Sequence, residues 1–389
     1  CDSIRSKKMR SISKTYKSVE PAKISVKLHR NLHLVDTVRM SIIFITLIIM
    51  SIINFYAYSY HFLINPSAIS EDLATFILAT NSLLKGENPY SILPFAYMPQ
   101  SIIYYVPFAL IQDLSLASKM FFLINVGLIV IIGFLMSRAS KKNDFFSIIF
   151  AQLILFSAGF THHNLSHGQS DFLLILFLMI GILLSEANRY WLSGIAFFLG
   201  GIVKHPLTSF LLSLYISFSK RKWSVVISFI LLFIVSSILV SLTYGPQIFM
   251  AYLKKVNIWL EWQGGYKVLN LYENRALYLL FAATILICTF YITLHKRVGD
   301  NFAIPLIVAS SFLILPFFPS HQIIILIPFF FPLMTQALSN RGFRIPVFIL
   351  TYVAILLICL QPLIFTGRRT TILYLLLYEA AMYFSARSH

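Results

Sequence analysis

From residue 40 onward the chain is a succession of apolar runs of about 15 to 25 residues joined by short polar connections. A helix needs about 20 such residues to cross a hydrocarbon layer. The runs fall at 40–64, 116–137, 144–160, 170–185, 190–203, 205–218, 223–244, 275–294, 302–317, 322–338, 345–365 and 371–385. The expected fold class is therefore an all-α polytopic membrane protein with about twelve transmembrane helices. Composition agrees, with 58% hydrophobic residues, 12% charged and a mean hydropathy of +0.80. A soluble globular enzyme, which carries about a quarter charged residues, is excluded. Three cysteines, with Cys288 and Cys359 inside apolar runs, suggest no disulfide framework.

The net charge of +17 is read first against loop orientation, because Lys and Arg favour the cytoplasmic side. Nucleic acid is not an expected partner. A piece from Ser101 to Gln112 is apolar but too short to span, and counting it as a crossing inverts all that follows. Without it, 22 of the 31 Lys and Arg lie inside, including ten from Arg5 to Arg39 and the cluster Lys220 to Lys222. That arrangement is preferred. Residues 1–38 form a basic cytoplasmic tail and 39–389 a transmembrane domain. A lipidated Cys1 is not expected, since it would carry the basic tail to the opposite side. The non-basic loops 65–100, 161–169, 245–274 and 318–321 then share an outer face. Within the first, Ser70 to Lys85 reads as a helix lying on the membrane. Trp259, Trp262 and Tyr266 mark a second interfacial segment.

Four places on that face carry chemistry. Asp72 is a carboxylate that can accept the proton of a hydroxyl as a glycosidic bond forms. The structural alternative is a helix start, since Ser70, Glu71 and Asp72 suit a helix N-terminus. Lys204 and His205 stand between two apolar runs of about 14 residues, which rise only about 21 Å as helix. Lys204 is thus expected within the outer part of the membrane, where a cation needs an anion such as a lipid phosphate. The alternative is a lysine snorkelling to the interface. His162, His163 and His167 lie in a short polar loop, and the i, i+4 pair His163 and His167 has metal-binding spacing. Without a nearby carboxylate before Asp171, they read better as a hydrogen-bonding wall. His321 sits between two further runs. Glu379, inside the last run, should face the protein interior.

Taken in order, the motifs are Asp72 to Gly86-Glu-Asn-Pro89-Tyr90, Phe95-Ala-Tyr97-Met-Pro99, Asn164-Leu-Ser-His-Gly168-Gln169-Ser-Asp171, Gly194 to Pro206, Glu273-Asn274-Arg275 and Pro316 to His321. This order resembles glycosyltransferase family 87, the polyprenyl-phosphate-mannose-dependent mannosyltransferases of the GT-C class, over about residues 70 to 325. The resemblance implies a GT-C-like bundle with juxtamembrane helices in its outer loops and a cavity open to the outer leaflet. It implies that Asp72 is the base, that Gly168, Gln169, Lys204 and Pro206 border the donor site, and that Asn274 and His321 line the same cavity. The sequence departs from the pattern at Met98, Asp171 and His205, which bears on the identity of the sugar.

The resulting expectation is an inverting transferase of the plasma membrane, with a cytoplasmic N-terminus and an outward-facing site. It moves a hexose, mannose by resemblance, from a polyprenyl-phosphate donor to a lipid or cell-envelope acceptor. Asp72 is the base; Lys204, His205, His167, Gln169, Asn274 and His321 bind the donor. No metal or other cofactor is expected, because a monophosphate donor does not require one. The alternatives are a flippase or exporter of lipid-linked sugars, and an envelope polysaccharide polymerase or ligase using a diphosphate donor.

Overall fold

The computed structural model describes residues 37–92, 95–141, 144–262, 275–295, 299–314, 320–339, 345–364, 376 and 379. Most of the basic tail, Tyr266 and nearly all of the run 371–385 lie outside the described residues. Among those described, every regular element is helical and none is a strand.

Helix α1, Thr37–Ile64, is long and apolar enough to cross a membrane and contains a π turn at Phe55–Tyr60. Helix α2, Glu71–Leu84, follows where an interfacial helix was expected. Residues 101–112 form no spanning helix: a 3-10 segment, Pro99–Tyr104, leads into the single turn Val106–Ala109. Helix α3, Leu114–Ala139, starts where Asp113 accepts from the amides of Ser115 and Leu116. Helix α4, Phe145–Ser157, starts on Asp144 in the same way. At Ala158 the chain turns extended, and α5, Gly159–His167, leaves at 63° to α4. The polar stretch read as a loop is therefore a helix. Thr161 and His162 make this break affordable, bonding the carbonyls of Leu155 and Phe156 that the broken helix leaves without amide partners. A carbonyl only accepts, so His162 donates through Nε2 and its Nδ1 accepts from Ser59, 2.8 Å away.

Helices α6, Asp171–Glu186; α7, Tyr190–Val203; α8, Pro206–Ser219; and α9, Ser224–Tyr244, then run with short turns. Their limits lie within a residue of the apolar runs in the sequence. Helix α7 packs against α6, α8 and α9. It approaches α9 so closely that a Cβ on Gly194 would overlap Ser228 Oγ and the Val225 carbonyl. Small residues at such crossings give helices in lipid the close packing that a hydrophobic force between them cannot supply. Helix α10, Gln247–Trp262, turns back from α9. Then come α11, Arg275–Phe290; α12, Asp300–Ile314; a 3-10 segment, Ser320–Leu326; α13, Ile327–Ser339; and α14, Ile345–Ile364.

Four helices, including α1, α3 and α9, are long and apolar enough to span, and the bent pair α4 and α5 also has that composition. The fourth, Ala276–Leu294, has Leu279 and Leu280 about two-thirds exposed, as a lipid-facing surface requires. Hydrogen bonds between helices join the interior: Asn54 donates to the carbonyls of Ser157 and Cys359, and Thr208 pairs with Ser311 at 2.8 Å. Glu379 is buried, as its place in an apolar run requires. A smaller core, built from Leu73, Phe76, Tyr90, Phe95, Tyr105 and Ile248 among others, fixes α2 against the segment that follows it. Each such large side chain contributes about 1.5–3 kcal/mol by leaving water.

Candidate active site

Asp72 occupies the first turn of α2, where a carboxylate suits the helix dipole. Ser70, the residue before the helix, makes no side-chain cap bond. The Asp72 carboxylate is instead engaged across the fold by the side-chain amide of Gln169. Gly168 brings them together. It ends α5 with a left-handed backbone, φ +72°, and a Cβ there would stand 2.7 Å from Leu73 Cβ and 2.8 Å from Ser70 Cβ. Glycine is thus required twice, for its dihedral angle and for the contact between the end of α5 and the start of α2.

The amide of Gln169 continues the chain, accepting from the Lys204 ammonium. Its orientation follows from chemistry: a carboxylate can only accept and an ammonium can only donate. Lys204 sits where α7 ends and α8 begins, at the apex of two 14-residue helices. Its side chain is 3% exposed and its Nζ lies 2.7 Å from Asp171 Oδ1. The head group is therefore turned inward, and the snorkelling alternative does not describe it. The Lys204 Nζ also lies 5.9 Å from the centre of the Tyr97 ring, a cation–π distance. Asp72, Gln169, Lys204 and Asp171 thus form one connected polar chain drawn from α2, the α5–α6 turn, the α7–α8 apex and α6.

The electrostatics of that chain poise Asp72. Burial pushes its carboxyl above the ordinary aspartate value, while Lys204, His167 and the Gln169 hydrogen bond oppose the rise. Tyr97 is held well above the usual tyrosine value by burial and by the carboxylates of Asp72 and Asp171, so it remains a neutral phenol.

The other expected residues are placed unequally. His167 borders Asp72 closely enough to influence it. Its Nδ1 donates to the His163 carbonyl at 3.0 Å and stands 2.8 Å from His163 Nδ1. His163 in turn stacks on Tyr58. No group of three or more metal-ligating side chains is gathered among the described residues. His205, next to Lys204 in the chain, is buried and packs edge-on against Phe312 of α12, with ring centres 5.2 Å apart. Asn274 lies outside the described residues, as does the side chain of His321, whose backbone lies in the 3-10 segment Ser320–Leu326.

The sequence reading gives Asp171 no role of its own, yet it is the fully buried ion-pair partner of Lys204. A signal was present, since it opens a helix whose next carboxylate is Glu186 at the far end. An acid and a Lys at membrane depth each need a partner, and these two could have been matched.

Residues 95–316 match the model for glycosyltransferase family 87, more than half of the chain. The chain belongs to glycosyltransferase family 87. As a member of that family it is a glycosyltransferase, and its apolar helices fit a membrane protein. The family match includes Gln169, Asp171 and Lys204, whereas Asp72 lies ahead of it. No curated protein and no solved structure matches this chain.

Proposed function

We propose that this member of family 87 transfers a hexose, mannose in the first instance, from a polyprenyl-phosphate carrier to a lipid or cell-envelope acceptor, with inversion. The observation that carries this reading is the hydrogen-bonded connection of Asp72 to Lys204 through Gln169. A base and a phosphate-neutralising cation, held apart by one amide, are the two groups the reaction needs. The acceptor hydroxyl attacks the anomeric carbon, Asp72 takes its proton, and the bond from that carbon to the phosphate oxygen breaks. The electron pair leaves with the polyprenyl phosphate, whose charge grows from one to two. Lys204 meets that charge. An ammonium has three N–H donors; Gln169 and Asp171 engage two, and the donor phosphate takes the third.

In this reading the twelve apolar runs form a GT-C-like bundle in the plasma membrane. The tail 1–38 is cytoplasmic, the site faces outward, and His167, Gln169, His205, Asn274 and His321 border the donor with Lys204. The deciding experiment is transfer of labelled mannose from polyprenyl-phosphate-mannose into an envelope lipid extract. The purified wild-type protein should transfer and Asp72→Asn should lose at least about a hundredfold in rate, with unchanged thermal unfolding. Normal turnover by Asp72→Asn would remove Asp72 from the role of base. A preference for a diphosphate donor would favour the polymerase or ligase alternative.

A further inference from the structure

A cavity of about 700 Å³ lies at the opposite end of α2 from Asp72, between the turn Gly86–Tyr90 and the corner where α9 becomes α10. Leu83, on its wall, is eleven residues beyond Asp72, about 16 Å along a helix. It is therefore separate from the polar chain described above, and its volume is that of a small-molecule site.

Its polar lining includes two adjacent cations, Lys254 and Lys255. Lys255 is buried, and its Nζ donates to the Tyr90 carbonyl, 3.0 Å away. Among the described residues neither lysine has a carboxylate within ion-pair distance, although Glu87 also lines the cavity. The apolar lining includes Met250 and Ile258, both more than half exposed. Leu242, just ahead on α9, is 79% exposed, as a lipid-facing residue is. The cavity thus combines two cations, one carboxylate and the amides of Asn88 and Gln247 with an apolar rim, at the end of a helix long and apolar enough to span a membrane.

We propose that this cavity binds the phosphate headgroup of an anionic membrane lipid. Headgroups lie at the level where a spanning helix meets an interfacial one, and basic pockets beside such helices suit lipid phosphates. The apolar rim receives the first part of the acyl chains, which a free phosphate ion does not need. Occupancy reaches the catalytic residues through Tyr90. Lys255 holds the Tyr90 carbonyl, and the Tyr90 hydroxyl donates to the Tyr97 carbonyl at 2.9 Å. The Tyr97 ring faces Lys204.

The test measures lipid retention, so its result is independent of whether the sugar and donor named above are right. Full-length protein in uncharged detergent is given equal phosphatidylglycerol and phosphatidylcholine, and bound lipid is counted by native mass spectrometry. Wild type should retain phosphatidylglycerol over phosphatidylcholine by about fivefold to tenfold. Lys254→Glu should abolish that preference, and Glu87→Gln, which removes the opposing charge, should increase it. Lys254 and Glu87 are exposed, so both variants are expected to fold; Lys255 is left in place because it supports Tyr90. Equal retention by wild type, or a preference unchanged in both variants, overturns the proposal. Displacement of the lipid by excess inorganic phosphate, as effectively as by short-chain phosphatidylglycerol, overturns the lipid assignment in favour of a free anion.

Discussion

Asp72 can accept a proton only while it is ionised. Because burial raises its carboxyl, the acid limb of kcat/KM should fall at a pH above the ordinary aspartate value of about 4. Lys204 opposes that rise. Lys204→Met should therefore lower the rate and also move the acid limb of the remaining activity to higher pH. A limb that stays in place or moves down would separate the two residues electrostatically. Asp171 makes a different contribution, to stability. Its ion pair with Lys204 is almost wholly buried, and removing one partner of such a pair costs about 3–5 kcal/mol. Asp171→Ala should accordingly lower the thermal unfolding temperature well below wild type, with Asp171→Asn intermediate because it keeps an acceptor oxygen. If Asp171→Ala melts with wild type, the pair is not structural. The burial of Lys204 was legible in the sequence because a cation at membrane depth needs a partner, whereas Asp72 was read as an outer-loop carboxylate and Gln169 only through the family resemblance. The packing of His205 against Phe312 was not legible.

Elements set the geometry that these residues need. The two 14-residue helices α7 and α8 could be read directly, since their apolar lengths and Pro206 at the start of α8 mark their ends. Their shortness puts Lys204 at a buried apex. Helix α5 could not be read in this way. Its sequence, Gly159 to His167, is polar enough to resemble a connection, and Thr161 and His162 in it bond carbonyls at the end of α4 across the break. The consequence reaches the proposed site, because the end of α5 delivers Gln169 to Asp72. Gly168→Ala should strain that junction by about 1–2 kcal/mol from the left-handed backbone alone, and its Cβ would push α2 away. The expected outcome is a folded protein with a modestly reduced unfolding temperature and a much larger fractional loss of transfer. Equal, small losses in both measurements would mean that α2 tolerates the displacement.

For the whole molecule, the proposed orientation places the Gly86–Tyr90 turn outside and the α8–α9 turn inside. With Cys1, Cys288 and Cys359 replaced, Glu87→Cys should react with a membrane-impermeant maleimide added to intact cells. Ser219→Cys should react only after permeabilisation. Both sites are exposed in the fold, so the reverse pattern would invert the topology and place the Asp72 site inside. The all-helical class, the apolar character of the helices and the family were determined by the sequence itself. These are properties of continuous segments, whose length, polarity and order can be read without knowing what they touch. The tertiary structure decided the pairing of Asp171 with Lys204, the helical state of α5 and the basic cavity at the far end of α2. Each depends on which faces of distant helices meet, and in lipid that choice rests on close packing and hydrogen bonds between helices rather than on the apolar pattern along any one of them.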